Sequence, residues 1–103
     1  KIKMQDLQFL EQIMHAIIFQ NQTFQMELSE TEAALKEIGN SSDDVFKIIG
    51  QLMIKTEKSK MIKEMSDKKK ILEIRLKTIE KQEESLVEKI EKLRGEFLNQ
   101  IGK

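Results

Sequence analysis

The side chains that could take part in chemistry are few and scattered along this chain. His15 is the only histidine and there is no cysteine, so the sequence contains neither a cysteine-based metal site nor a nucleophile–base set. The basic run "DKKK" at 67–70 could contact phosphate, but acidic residues flank it, as on a solvated helix face. Carboxylates and lysines three and four residues apart, in "KQEE" and "EKIEKL", stabilise helix surfaces. We therefore predict a protein that is not an enzyme and needs no metal or other cofactor.

The composition excludes further functional classes. Eighteen basic and eighteen acidic residues cancel, which argues against a general attraction to nucleic acid or to an anionic membrane. The longest stretch without a charged residue, 12–26, is too short and too rich in Gln and Asn to span a bilayer. The absence of cysteine suits a reducing compartment, so we expect a cytoplasmic protein.

Two long stretches carry apolar residues spaced alternately by three and four, which is the pattern of a coiled-coil seam. The first stretch predicts a helix over 1–38, closed by Gly39-Asn40 as a left-handed C-cap. The second predicts a helix over 57–101, with Thr56 as its N-cap. The seam positions are Leu7, Leu10, Met14, Ile17, Asn21, Phe24, Leu28, Thr31, Leu35 and Ile38, then Ile62, Met65, Lys69, Leu72, Leu76, Ile79, Glu83, Leu86, Ile90, Leu93 and Phe97.

One antiparallel register matches the two seams when the chain folds back on itself. It pairs Leu7 with Leu93 at one end and Ile38 with Ile62 at the other. The seam positions between these two pairs oppose one another in the same register. Lys69 and Glu83 occupy seam positions, and we expect both to extend out of so thin a core. Asn21 either helps to fix the register or is a tolerated polar position.

Between the helices, "VFKIIGQLMIKT" at 45–56 predicts a β-hairpin with a Gly50-Gln51 turn. The turn pairs Val45 with Thr56 and Ile49 with Leu52. A lone hairpin is only marginally stable and leaves both of its strand edges open. We therefore expect hairpins of several chains to pair through the apolar residues Val45, Phe46, Ile48, Ile49, Leu52, Met53 and Ile54.

The whole pattern resembles a known family. The stretch "DDVFKIIGQLMIKTEKSKMIKEMSDKKKILEIRLKTIEKQEESL" is similar to the β-type subunit of archaeal prefoldin, and "FQMELSETEAALKEI" resembles the end of that family's first helix. The resemblance implies a single mostly α domain over 1–103: a long antiparallel two-helix coiled coil joined by one short hairpin that pairs with hairpins of other subunits. It also implies a hexamer of two α-type and four β-type subunits. Such a hexamer captures unfolded client proteins without ATP and passes them to a group II chaperonin.

Apolar residues outside the seam point to a binding surface without reference to the family. Most of those in the first helix precede residue 20, and the second helix carries others near its end. Because exposed apolar patches mark interaction sites, we predict client binding at the residues farthest from the hairpin: Ile2, Met4, Phe9, Ile13, Phe97, Leu98 and Ile101. The same apolar residues could instead be extra core, crystal contacts or a wider seam with a partner helix. Two other functions stay open, namely a purely structural oligomerisation module and a helical arm that binds nucleic acid.

Overall fold

The structure, a computed structural model, describes residues 4–41 and 44–102. Its elements are, in chain order, α1 (Met4–Asn40), β1 (Val45–Ile49), β2 (Leu52–Thr56) and α2 (Lys58–Ile101). The predicted fold class, two long antiparallel helices joined by one short hairpin, is confirmed. The chain divides into two compact units, which we call the hairpin unit (25–74) and the terminal unit (1–24 with 75–103).

In the hairpin unit the seam holds α1 against α2. Leu72 is the most deeply buried side chain, with 2% of its surface exposed. Thr31 is also buried, and its hydroxyl donates a hydrogen bond of 2.8 Å to the carbonyl oxygen of Glu27, one turn earlier. This bond within the helix satisfies the buried hydroxyl. Lys69 stays half-exposed, and its Nζ lies 4.0 Å from a carboxylate oxygen of Glu32.

In the terminal unit the seam buries Leu7, Leu76, Ile79 and Ile90. Its two polar members lie close together, because the side-chain amide of Asn21 donates a hydrogen bond of 3.5 Å to a carboxylate oxygen of Glu83. Glu83 is partly exposed, like Lys69, and its carboxylate lies beside Asn21. Among the described residues, no buried side-chain nitrogen or oxygen lacks a hydrogen-bond partner.

The hairpin has the predicted register. Val45 pairs with Thr56, Lys47 with Ile54, and Ile49 with Leu52. Gly50 has a φ of 60°, the left-handed conformation that a two-residue hairpin turn starting with glycine requires. The turn therefore fixes which side chains share a face of the hairpin.

The predicted left-handed cap at the end of α1 is wrong. Gly39 does not adopt the left-handed conformation, and α1 continues to Asn40. The amide of Ser41 donates to the carbonyl oxygen of Ile38, and Nζ of Lys58 lies 2.7 Å from the carbonyl oxygen of Ser41 and 3.5 Å from that of Gly39. The ammonium group of Lys58, from the start of α2, therefore bonds to carbonyl groups at and just beyond the end of α1, which have no partner within the helix.

The predicted N-cap of α2 is displaced by one residue. Thr56 is the last residue of β2, and the carbonyl oxygen of Glu57 accepts a hydrogen bond of 3.0 Å from the amide of Met61. Because the N-cap residue is the one whose carbonyl accepts the first bond of the helix, Glu57 occupies that position. The pairing of Thr56 with Val45 holds the threonine in the strand.

The seam assignment predicts which isoleucine and leucine side chains carry stability. Leu72→Ala and Leu76→Ala should each lower the free energy of unfolding by about 2–5 kcal/mol, because each removes a buried side chain from a packed layer. Ile74→Ala should have a much smaller effect, since 65% of the surface of Ile74 is exposed. Thermal unfolding at one protein concentration measures all three. An equal loss of stability in all three variants would contradict the assignment of Leu72 and Leu76 to the seam.

The two glycines should respond oppositely to alanine. Gly39→Ala should raise stability by about 0.5–1 kcal/mol, because the position is helical and no atom lies within 4 Å of the added methyl group. Gly50→Ala should lower it by about 1 kcal/mol or more, because alanine is strained at a φ of 60°. Chemical denaturation of both variants measures these changes. Destabilisation by Gly39→Ala would show that Gly39 has the left-handed conformation after all.

Candidate functional site

The hairpin presents apolar side chains on both of its faces. Phe46, Ile48 and Met53 lie on one face, and all three are exposed. On the other face Val45 is half-buried, whereas Ile49, Leu52 and Ile54 are exposed. We call these seven residues the hairpin surface. Both strands are edge strands in this two-stranded sheet, so their outer backbone groups are open to pairing with another strand.

One ion pair joins the hairpin to α2, and a second joins β2 to the residue before β1. Nζ of Lys47 lies 2.9 Å from a carboxylate oxygen of Glu64, and Lys55 pairs with Asp44 at 3.4 Å. The hydrogen bond from Lys47, aided by its charge, holds the pKa of Glu64 below its ordinary value. Exposed ion pairs add little stability, so the chief effect of these contacts is to orient the hairpin. The sequence pattern did not indicate them.

The predicted client-binding residues lie mostly on the surface of the terminal unit. Met4, Phe9, Leu98 and Ile101 are each at least half exposed, and we call these four the terminal apolar surface. Ile13 and Phe97 are half-buried; Phe97 is also a seam position, and Ile13 lines a cleft with Ile17, Leu86 and polar residues of α2. Ile2 lies outside the described residues.

An ion pair marks one flank of the terminal unit. A guanidinium nitrogen of Arg94 lies 2.6 Å from a carboxylate oxygen of Glu11. Met4 lies one heptad before Glu11 and Ile101 one heptad after Arg94, so an antiparallel pair of helices places both on the same flank. By the same spacing, Ile18 and Val87 occupy the next positions in the other direction. The periodicity predicted these residues to be off the seam but did not indicate that they share a flank.

The described residues include no group of three or more His, Cys, Asp or Glu side chains arranged to hold a metal ion. No helix among them has an apolar stretch long enough to cross a membrane. His15 is exposed.

Comparison with known proteins identifies the family. The model of the prefoldin subunit family matches residues 2–103. The chain belongs to the prefoldin subunit family. It is 34% identical to prefoldin subunit beta of Methanothrix thermoacetophila, over 93% of this chain and 82% of that one. With prefoldin subunit beta of Thermococcus kodakarensis the identity is 38%, over 88% and 80% of the two chains.

A solved structure supports the same assignment. The crystal structure of the prefoldin beta subunit from Thermococcus strain KS-1 superposes with a TM-score of 0.81 at 35% identity, and covers 88% of this chain and 82% of that chain. The predicted resemblance to the β type is therefore confirmed. Prefoldin subunits are components of a chaperone that assemble with other prefoldin subunits, so this chain is a chaperone subunit rather than a member of a catalytic family.

Proposed function

We propose that this chain, assembled with other prefoldin subunits, holds non-native proteins at the terminal apolar surface and needs no nucleotide to do so. The observation that carries the proposal is the exposure of Met4, Phe9, Leu98 and Ile101, which the seam leaves uncovered. Contact with such a surface is non-directional and proportional to the apolar area removed from water. It therefore suits clients of many different sequences.

We further propose that the hairpin surface builds the oligomer, a hexamer of two α-type and four β-type subunits. The support is physical, since a two-stranded sheet with two apolar faces and two open edges is marginally stable on its own. Pairing with strands of other subunits would cover both the edges and the faces. The hairpin surface belongs to the hairpin unit and the terminal apolar surface to the terminal unit, so the two proposed roles use different residues.

Avidity would make weak individual contacts effective. Each terminal apolar surface has only four large exposed side chains, so one subunit would hold a client loosely. Several subunits that engage one client raise its apparent affinity by about 10²–10⁴. We propose that a client held in this way is released to a group II chaperonin.

The role of the hairpin in assembly is tested by a substitution that introduces one charge into it. Ile48→Lys should dissociate the oligomer and leave the helix content unchanged, because it would bury an unpaired charge between subunits. Ile74→Lys is the matched control: it makes the same substitution at an isoleucine of similar exposure, 65% against 71%, but on α2. Native mass spectrometry with the α-type partner present measures both. A full-size assembly of the Ile48 variant would rule out the hairpin as the contact.

Client capture is tested with matched triple variants of the assembled protein. Phe9→Ser, Leu98→Ser and Ile101→Ser together should abolish suppression of the aggregation of a denatured test protein without changing the mass of the assembly. The control variant combines Met26→Ser, Ile71→Ser and Ile74→Ser. It removes three apolar side chains from the hairpin unit that are at least half exposed, and it should protect like the parent. If the first variant suppresses aggregation as well as the parent does, clients are captured at a surface other than the terminal apolar surface. A parent that assembles but never protects would make the chain a structural module.

A further inference from the structure

The flank marked by the Glu11–Arg94 pair contains a cleft of about 350 Å³. Its apolar lining comes from seam residues Met14 and Ile90 and from Ile18 and Val87, the off-seam pair of this flank. Glu11, His15, Glu91 and Arg94 supply the polar part of the lining. Every one of these residues belongs to the terminal unit. The cleft thus offers room for an apolar side chain beside charged groups.

The charge around this cleft is one-sided. Glu11 neutralises Arg94 at 2.6 Å, which leaves the carboxylate of Glu91 without a cation in the lining. Val87 also lines a second, neighbouring cleft, whose other lining residues are all glutamates: Glu80, Glu83, Glu84 and Glu88. α1 brings no compensating charge, since residues 12–26 include no Asp, Glu, Lys or Arg.

Two lysines of this part of α2 border a different cleft. Lys81 and Lys89 line a different cleft between the two helices, together with Ile13 and Ile17. The terminal unit therefore has one inter-helix cleft with a carboxylate border and another with an ammonium border. Apolar contact alone does not distinguish between these two clefts, but the charge of a bound segment does.

We propose that the cleft lined by Ile18 and Val87 selects client segments in which an apolar side chain is neighboured by lysine or arginine. The apolar side chain enters between Ile18 and Val87, and the neighbouring cations face Glu84, Glu88 and Glu91. The inference rests on the proposed capture of non-native proteins by the terminal unit and names the chemistry of the segments captured. Because these carboxylates are exposed, the preference should weaken as salt is added.

Three fluorescent peptides of equal length test the proposal against the protein assembled with its α-type partner. One alternates leucine with lysine, one leucine with glutamate, and one serine with lysine. Fluorescence anisotropy at low salt should show the leucine–lysine peptide binding about tenfold more tightly than the leucine–glutamate peptide, as expected for a few exposed charge pairs. The serine–lysine peptide should bind weakly, because it has no apolar side chain for the cleft.

Substitutions locate the preference. Glu84→Gln, Glu88→Gln and Glu91→Gln together should bring the two leucine peptides to within about twofold of each other, as expected when exposed charge pairs are lost. Glu30→Gln, Glu37→Gln and Glu73→Gln together change the net charge equally at exposed positions of the hairpin unit and should preserve the preference. Val87→Ser should weaken binding of the leucine–lysine peptide, and circular dichroism would verify that each variant remains helical.

The outcomes separate this proposal from the proposed function. Equal affinity for the two leucine peptides, with aggregation still suppressed, would overturn the charge preference and leave client capture intact. Binding of the serine–lysine peptide as tight as that of the leucine–lysine peptide would show attraction to carboxylates without use of the cleft, and would also overturn it. A protein that binds no peptide and protects no client would remove both proposals together.

Discussion

The rest of the structure depends on a seam one stripe wide between two antiparallel helices. A stripe of this width covers only the side chains that point along it, and every seam position is buried or half-buried. Polar groups in the seam are tolerated because each has a partner: Asn21 contacts Glu83, and Thr31 bonds to the carbonyl group one turn earlier. Among the described residues, the same narrowness leaves every large apolar side chain off the stripe at least partly exposed. A globular domain would bury such residues, whereas here they remain available for contacts with other proteins.

The hairpin also leaves most of its apolar side chains exposed. Five residue pairs and one glycine turn define its register, but neither of its faces is covered by the helices beyond half-burial of Val45, Lys47 and Thr56. Polar contacts around it, such as Lys47 with Glu64 and Lys58 with the end of α1, fix where the hairpin points. Orientation matters more than stability for the pairing with other subunits that we propose, since a misdirected edge cannot pair. This explains why ion pairs that contribute little energy lie at the junction between strand and helix.

Periodicity predicted the fold well because apolar spacing and turn chemistry are local properties of the sequence. It assigned the seam, the hairpin register and the Gly50 turn. The periodicity gave a wrong prediction at the end of α1, where the long side chain of Lys58 reaches from another helix. Gly39 is compatible with both a helical and a left-handed conformation, and the position of Lys58, which no local pattern shows, accompanies the helical one. The exposure of the candidate site was predicted in part. Met4, Phe9, Leu98 and Ile101 are exposed, but the half-burial of Ile13 and the Glu11–Arg94 pair depend on how neighbouring side chains pack across the helices.

In the client recognition that we propose for the terminal unit, charge and apolar surface have different roles. Apolar contact supplies most of the attraction, but it does not distinguish one apolar segment from another. Exposed charge pairs contribute only about 0–1 kcal/mol each, too little to hold a client and enough to rank competing segments. Glu11 neutralises Arg94, which is the one arginine or lysine among the residues that line the cleft beside Val87. A salt bridge of small energetic value thereby determines the sign of the charge that a client segment meets, and electrostatic complementarity of this kind acts mainly on the rate of encounter. A chaperone that must bind before aggregation occurs gains more from that rate than from tighter final binding.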